Sequence, residues 1–123
     1  MSTVLLVDDD LENLWALQLA LESCGHHVVM ADSGAEALRK LQHEIPRLIV
    51  TDWQMPGMDG IELCRRVRSQ PTLADLPIIL LSAMPEPEDQ PHCWTLFFRK
   101  PADLGALLST VSTLAAERLG GGS

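Results

Sequence analysis

Four segments, VLLVDDD, LIVTDWQMPGMDG, PIILLSA and FFRKP, follow one another in this chain, and in each an apolar run ends abruptly on polar or charged groups. An apolar run of four to eight residues bounded by turn signals reads as a strand buried on both faces of a parallel sheet. Strands of such a sheet deliver their carboxyl ends to a common crevice. The polar residues that close these runs, Asp8, Asp9, Asp10, Asp52, Ser82 and Lys100, are therefore expected along one edge.

The segments between the runs carry the other period. Leu11, Leu14, Leu17 and Leu21 recur at spacings of three and four, which predicts a helix with one apolar face that Asp10 caps and Gly25 stops. A further strand is expected over His27 to Ala31, then a helix opened by Ser33, with Glu36 reaching back to its start and Ala37, Leu38 and Leu41 facing inward. The third strand is expected over Arg47 to Thr51. A helix from about Gly60 to Ser69 should bury Ile61, Cys64 and Val67 before Pro71 ends it, leaving Arg65, Arg66 and Arg68 on its wet face. Pro77 opens the fourth strand. After Asp103 the series Leu104, Leu107, Leu108, Val111, Leu114 and Ala115 marks an amphipathic helix.

Alternation of strand and helix calls for an α/β fold, a doubly wound five-stranded parallel sheet with right-handed crossovers. The expected order is the flavodoxin-like 2-1-3-4-5, with the site at the carboxyl ends of the first and third strands. The fourth crossover breaks the pattern. Residues 83–95 contain Pro85, Pro87 and Pro91, and an interior proline costs a helix roughly 3 kcal/mol or more, so a shortened or irregular segment of no more than about two turns is expected. His92, Cys93 and Trp94 read as packing residues of that loop.

At 123 residues the chain fits a single domain, expected over 1–119, with a flexible Gly/Ser tail over 120–123. The formal charge of −8 argues against direct nucleic-acid binding, which needs a basic face. Cys24, Cys64 and Cys93 lie far apart, with no paired spacing for a disulfide framework or a zinc site. They read as thiols of a reducing compartment. No secretory leader and no apolar stretch of about eighteen residues is present, so membrane insertion is not expected and a cytoplasmic location is.

Adjacent carboxylates at a strand end repel one another unless a cation balances them. Taken alone, Asp8, Asp9 and Asp10 read as helix-capping acids, but a third carboxylate on a neighbouring strand end suits magnesium, which takes oxygen ligands and keeps several waters. Asp9 and Asp52 could bind the ion directly, a backbone carbonyl just past Asp52, at Gln54, could add a third oxygen, and Asp8 could hold a coordinated water. The Asp52 carboxylate, at the mouth of a turn-rich loop, could also attack phosphorus to give an aspartyl phosphate. Phosphoryl transfer further needs a cation and a hydrogen-bond donor for the equatorial oxygens, and Lys100 and Ser82 supply them. Pro101 after Lys100 is a candidate cis proline.

With VDDD, TDWQMPGMDG, LSA and FRKP in this order over residues 3–119, the chain resembles the receiver domain of two-component response regulators. The resemblance implies Asp52 as phosphoacceptor, Asp8 and Asp9 as the acidic pocket, Ser82 as the switch hydroxyl, Lys100 as the family's conserved-type lysine and Phe97 as an aromatic that turns inward when the hydroxyl moves. It implies a donor, either a histidine kinase or a histidine phosphotransfer protein. It also implies a signalling domain, not an enzyme, that assists its own phosphorylation and dephosphorylation. Family members usually carry a regular helix in the fourth crossover, where this chain has MPEPEDQPHCW. Two rival readings share some of these residues. A degenerate receiver would act as a constitutive binding module. A haloacid-dehalogenase-type aspartyl-phosphate hydrolase needs a second acid two residues after the nucleophile, and that position is Gln54.

Overall fold

The computed structural model describes residues 2–121. Its elements are β1 (Thr3–Val7), α1 (Leu11–Ser23), β2 (His27–Ala31), α2 (Gly34–Leu41), β3 (Leu48–Asp52), α3 (Gly60–Arg68), β4 (Ile78–Ser82), β5 (Leu96–Arg99) and α4 (Leu104–Gly121). All four strand pairings are parallel and the order is β2-β1-β3-β4-β5. The expected doubly wound sheet is thus the one observed, with β3 displaced by one residue toward its carboxyl end so that Asp52 is its last member.

Side chains alternate across the strands and build two cores. Leu5, Val7, Ile49, Ile78 and Leu80 face α2 and α3, where they meet Ala37, Leu41, Ile61, Leu63, Cys64 and Val67. Val4, Leu6, Leu48, Val50, Ile79 and Leu81 face α1 and α4, against Leu14, Leu21, Leu107, Val111 and Ala115. Successive strand residues point to opposite faces, so an unbroken apolar run serves both cores at once. The neighbours Phe97 and Phe98 divide in the same way, one against each.

Helix starts follow local hydrogen-bonding chemistry. Asp10 accepts from the backbone of Glu12 and Asn13, Ser33 from Glu36 and Asp59 from Glu62, each satisfying an orphan amide of the first turn. The Asp59 cap had no counterpart in the sequence reading. Glu36 turns its carboxylate along its own helix to Arg39 and Lys40. Gly25, at φ 89°, ends α1 in a conformation that only glycine adopts freely.

Three details depart from expectation. Leu11 and Leu104 lie in the expected apolar rows but are 52% and 49% exposed, each being the first residue of its helix. Arg68 is not on the wet face. Its Nε donates to the Cys93 carbonyl at 2.8 Å, and its Nη1 to those of Ala74 and Leu76 at 3.0 and 2.7 Å. Of the expected tail, Gly120 and Gly121 fall at the end of α4, while Gly122 and Ser123 lie outside the described residues.

Residues 83–95 contain no helix, as the three prolines require. The segment still covers the sheet. Trp94 is 5% exposed and packs into the core shared with α3, and its indole Nε1 donates to Glu86 at 2.7 Å. The His92 ring stacks on the indole at 4.5 Å.

Candidate functional site

Backbone bonds carry the sheet pattern one step beyond the strand ends, and these bonds aim the polar residues. The Asp8 amide donates to the Ala31 carbonyl at 3.2 Å, Trp53 to Leu81 at 2.8 Å and Lys100 to Ser82 at 2.7 Å. Asp8, Asp52, Ser82 and Lys100 are thereby fixed around one crevice by three parallel strand pairs. The loop after Asp52 folds back tightly: the Gly60 amide donates to the Trp53 carbonyl at 2.8 Å. A Cβ at Gly60 would lie 2.2 Å from the Asp52 carbonyl oxygen, so no other residue fits there without moving the strand end.

The Lys100 ammonium reaches Asp52 Oδ1 at 2.7 Å and Asp8 Oδ2 at 3.9 Å. Carboxylate oxygens of Asp8, Asp9 and Asp52 lie within 4.8 Å of one another. Asp8 and Asp52 are buried, and Asp9 stands at the exposed rim. Burial pushes the Asp8 carboxyl above its ordinary range and the nearby Asp52 charge adds to the rise, while the Asp10 amide, Lys100 and Asn13 pull it back. Three carboxylates against one ammonium leave an excess of two negative charges, all on hard oxygen donors. That donor set fits a divalent cation such as magnesium.

Ser82 is fully buried. Its hydroxyl donates to Gln54 Oε1 at 2.8 Å and accepts from the Met84 amide at 2.9 Å. The sequence reading gave Gln54 only a backbone role and missed this side-chain bond. Residue type alone carries no signal for it, since it depends on how the loop after β3 folds toward β4. Phe97 is half-buried against the α2/α3 core, and the Lys100–Pro101 peptide is cis. Beside Asp8 and Lys100 a cleft of about 470 Å³ opens between α1 and α4, walled by Asn13, Leu17, Leu81 and Leu104.

Comparison with known proteins agrees with this arrangement. The model of the response regulator receiver domain family matches residues 4–112. This chain belongs to that family. Among relatives of the receiver, the transcriptional regulatory protein AfsQ1 of Streptomyces coelicolor is 46% identical over 83 residues, 68% of this chain and 36% of that protein. The alkaline phosphatase synthesis transcriptional regulatory protein PhoP of Bacillus subtilis is 41% identical over 87 residues, 71% and 35% of the two chains. The receiver chain therefore spans about a third of the length of these relatives. Among solved structures, the signal receiver domain of a histidine kinase from Syntrophus aciditrophicus superposes with a TM-score of 0.87 at 34% identity, covering 94% of this chain and 91% of that one. The chemotaxis protein CheY4 of Vibrio cholerae gives 0.83 at 30% identity, covering 93% and 98%. The receiver is thus a module of two-component signal transduction, and among the described residues no helix is long and apolar enough to cross a membrane.

Proposed function

We propose that this receiver accepts a phosphoryl group on Asp52 from a phosphohistidine of a histidine kinase or phosphotransfer protein. The observation that carries the proposal is the Asp8–Asp9–Asp52–Lys100 cluster, whose half-buried ammonium touches the buried Asp52 carboxylate at the end of β3. An Asp52 oxygen forms the new bond to phosphorus, the phosphorus–nitrogen bond breaks, and the imidazole leaves. Lys100 holds positive charge beside the transferring group, where developing charge on the equatorial oxygens is greatest. Asp8, Asp9 and Asp52, with the backbone carbonyl at Gln54, would hold a magnesium ion, which when bound would supply further neutralisation of that charge.

Ser82 and Phe97 are the proposed switch pair. The Ser82 hydroxyl moves onto a phosphoryl oxygen, and Phe97, one strand away and only half-buried, follows it inward. The net charge of −8 supports a protein partner with a basic or apolar surface in preference to nucleic acid. Incubation with acetyl phosphate and magnesium, read by intact mass, tests the reading. The wild-type chain is expected to gain one phosphoryl group and Asp52→Asn none, because an amide is not the required nucleophile. Trp53, next to the acceptor, should report metal binding by a change in fluorescence. Equal labelling of Asp52→Asn would move the acceptor elsewhere.

A further inference from the structure

A serine hydroxyl has one proton to donate. In this structure the Ser82 proton is already committed, to Gln54 Oε1 at 2.8 Å, while the Met84 amide fixes the oxygen from the other side at 2.9 Å. Both protein partners lie on the loops that leave the crevice, one two residues past Asp52 and the other two past Ser82. Lys100, not Ser82, is the group bonded to Asp52. The two ends of the Gln54–Ser82 bond differ in freedom: Ser82 is fully buried on its strand, whereas Gln54 is exposed on its loop. The mobile member is therefore the carboxamide.

We infer that the Gln54 side chain is a latch that holds the Ser82 hydroxyl in the resting state and must release it before that hydroxyl can donate to a phosphoryl oxygen on Asp52. Gln54 is a positioning residue here, acting through Ser82. This inference rests on the phosphoacceptor reading and assigns regulation to the same site. The latch opposes the phosphorylated arrangement by the worth of one neutral hydrogen bond, so its removal favours that arrangement about threefold to tenfold. The Gln54 backbone carbonyl is untouched by any side-chain substitution, so the effect is separable from metal binding.

Initial rates of acetyl-phosphate labelling in wild type, Gln54→Met, Ser82→Ala and the double variant test the latch. Gln54→Met is expected to be labelled about threefold to tenfold faster than wild type, and to change nothing when Ser82 is already alanine. The same acceleration in both backgrounds would place the effect in access or charge and overturn the latch, as would no acceleration at all. A second measurement needs no phosphorylation. In the resting protein, the Met84 amide resonance should shift on Gln54→Met and respond far less to the same change in a Ser82→Ala background. An unmoved Met84 resonance overturns the latch. Failure of wild type to take a phosphoryl group would instead defeat the underlying reading, an outcome the resonance measurement is independent of.

Discussion

The last residue of β4 and the segment that follows it belong to contrasting architecture. At its carboxyl end, Ser82 joins a crevice whose polar groups are held by strand-to-strand backbone bonds and whose geometry tolerates no Cβ at Gly60. Immediately beyond, residues 83–95 cross to β5 with no repeating backbone structure, held by Arg68, Glu86 and the buried indole of Trp94. The contrast teaches that a parallel crossover needs an apolar cover and satisfied carbonyls more than it needs a helix. A helix supplies the cover with the side chains of its apolar face and satisfies carbonyls through its own backbone. Here a tryptophan supplies the cover, and one guanidinium on α3 satisfies the Cys93 carbonyl along with those of Ala74 and Leu76.

If the crevice and the loop are separable, substitutions in each should move different observables. Trp94→Ala should have the largest effect, lowering stability by about 3 kcal/mol or more in chemical denaturation because it empties a core site. Labelling per folded molecule should stay within about twofold, since the expected loss is one of packing and not of transition-state contacts. A collapse of labelling in folded Trp94→Ala would break the separation. Lys100→Ala should do the reverse in saturating magnesium, where the ion would balance the carboxylates, leaving the melting curve nearly in place while slowing acetyl-phosphate labelling about a hundredfold, the scale for loss of one preorganised charge partner.

Arg68→Met comes next. It strips a charged donor from three carbonyls and should cost about 2 kcal/mol, with faster proteolysis confined to residues 83–95 and unaltered metal binding. The smallest effect belongs to Asp8→Asn. The folded carboxyl binds its proton more tightly than the unfolded one, so this group's contribution to stability falls as pH rises from the ordinary aspartate value through the raised one. In metal-free buffer at neutral pH, Asp8→Asn should therefore raise the melting temperature by a few degrees. The gain should shrink as pH falls through that window, and reverse in saturating magnesium.

Much of this contrast was legible in the sequence. The polar closures of four apolar runs located Asp8, Asp9, Asp52, Ser82 and Lys100, because strand direction in a parallel sheet converts chain order into spatial proximity. Three prolines were enough to exclude a full helix over 83–95, since a missing amide and a fixed φ act locally. The replacement for that helix was not legible. Arg68 is the same residue type as Arg65 and Arg66, but it follows Ile61 by seven residues and Cys64 by four, beside the buried face, and the paths of the segments before β4 and before β5 bring backbone carbonyls to it while Arg65 and Arg66 turn to Glu62. The Gln54–Ser82 bond was hidden because it joins the loop after β3 to the end of β4, and the path of that loop is set by the sheet. Leu11 and Leu104 misled because periodicity records which face of a helix a residue is on, not whether that part of the face reaches the sheet.

The backbone bonds that continue past the strand ends also set an order in time. Asp8 follows the first strand made and Lys100 the last, and the Lys100 ammonium reaches both Asp8 and Asp52. Pairing across such sequence distances is the slow part of forming a parallel sheet. A chain still emerging from the ribosome, or one that has lost its β4–β5 pairing, holds Asp52 without the ammonium that pairs with it in the finished fold. On the phosphoacceptor reading proposed above, the ability to receive a phosphoryl group would be a certificate of completed folding, and signalling traffic would be restricted to molecules that have passed it.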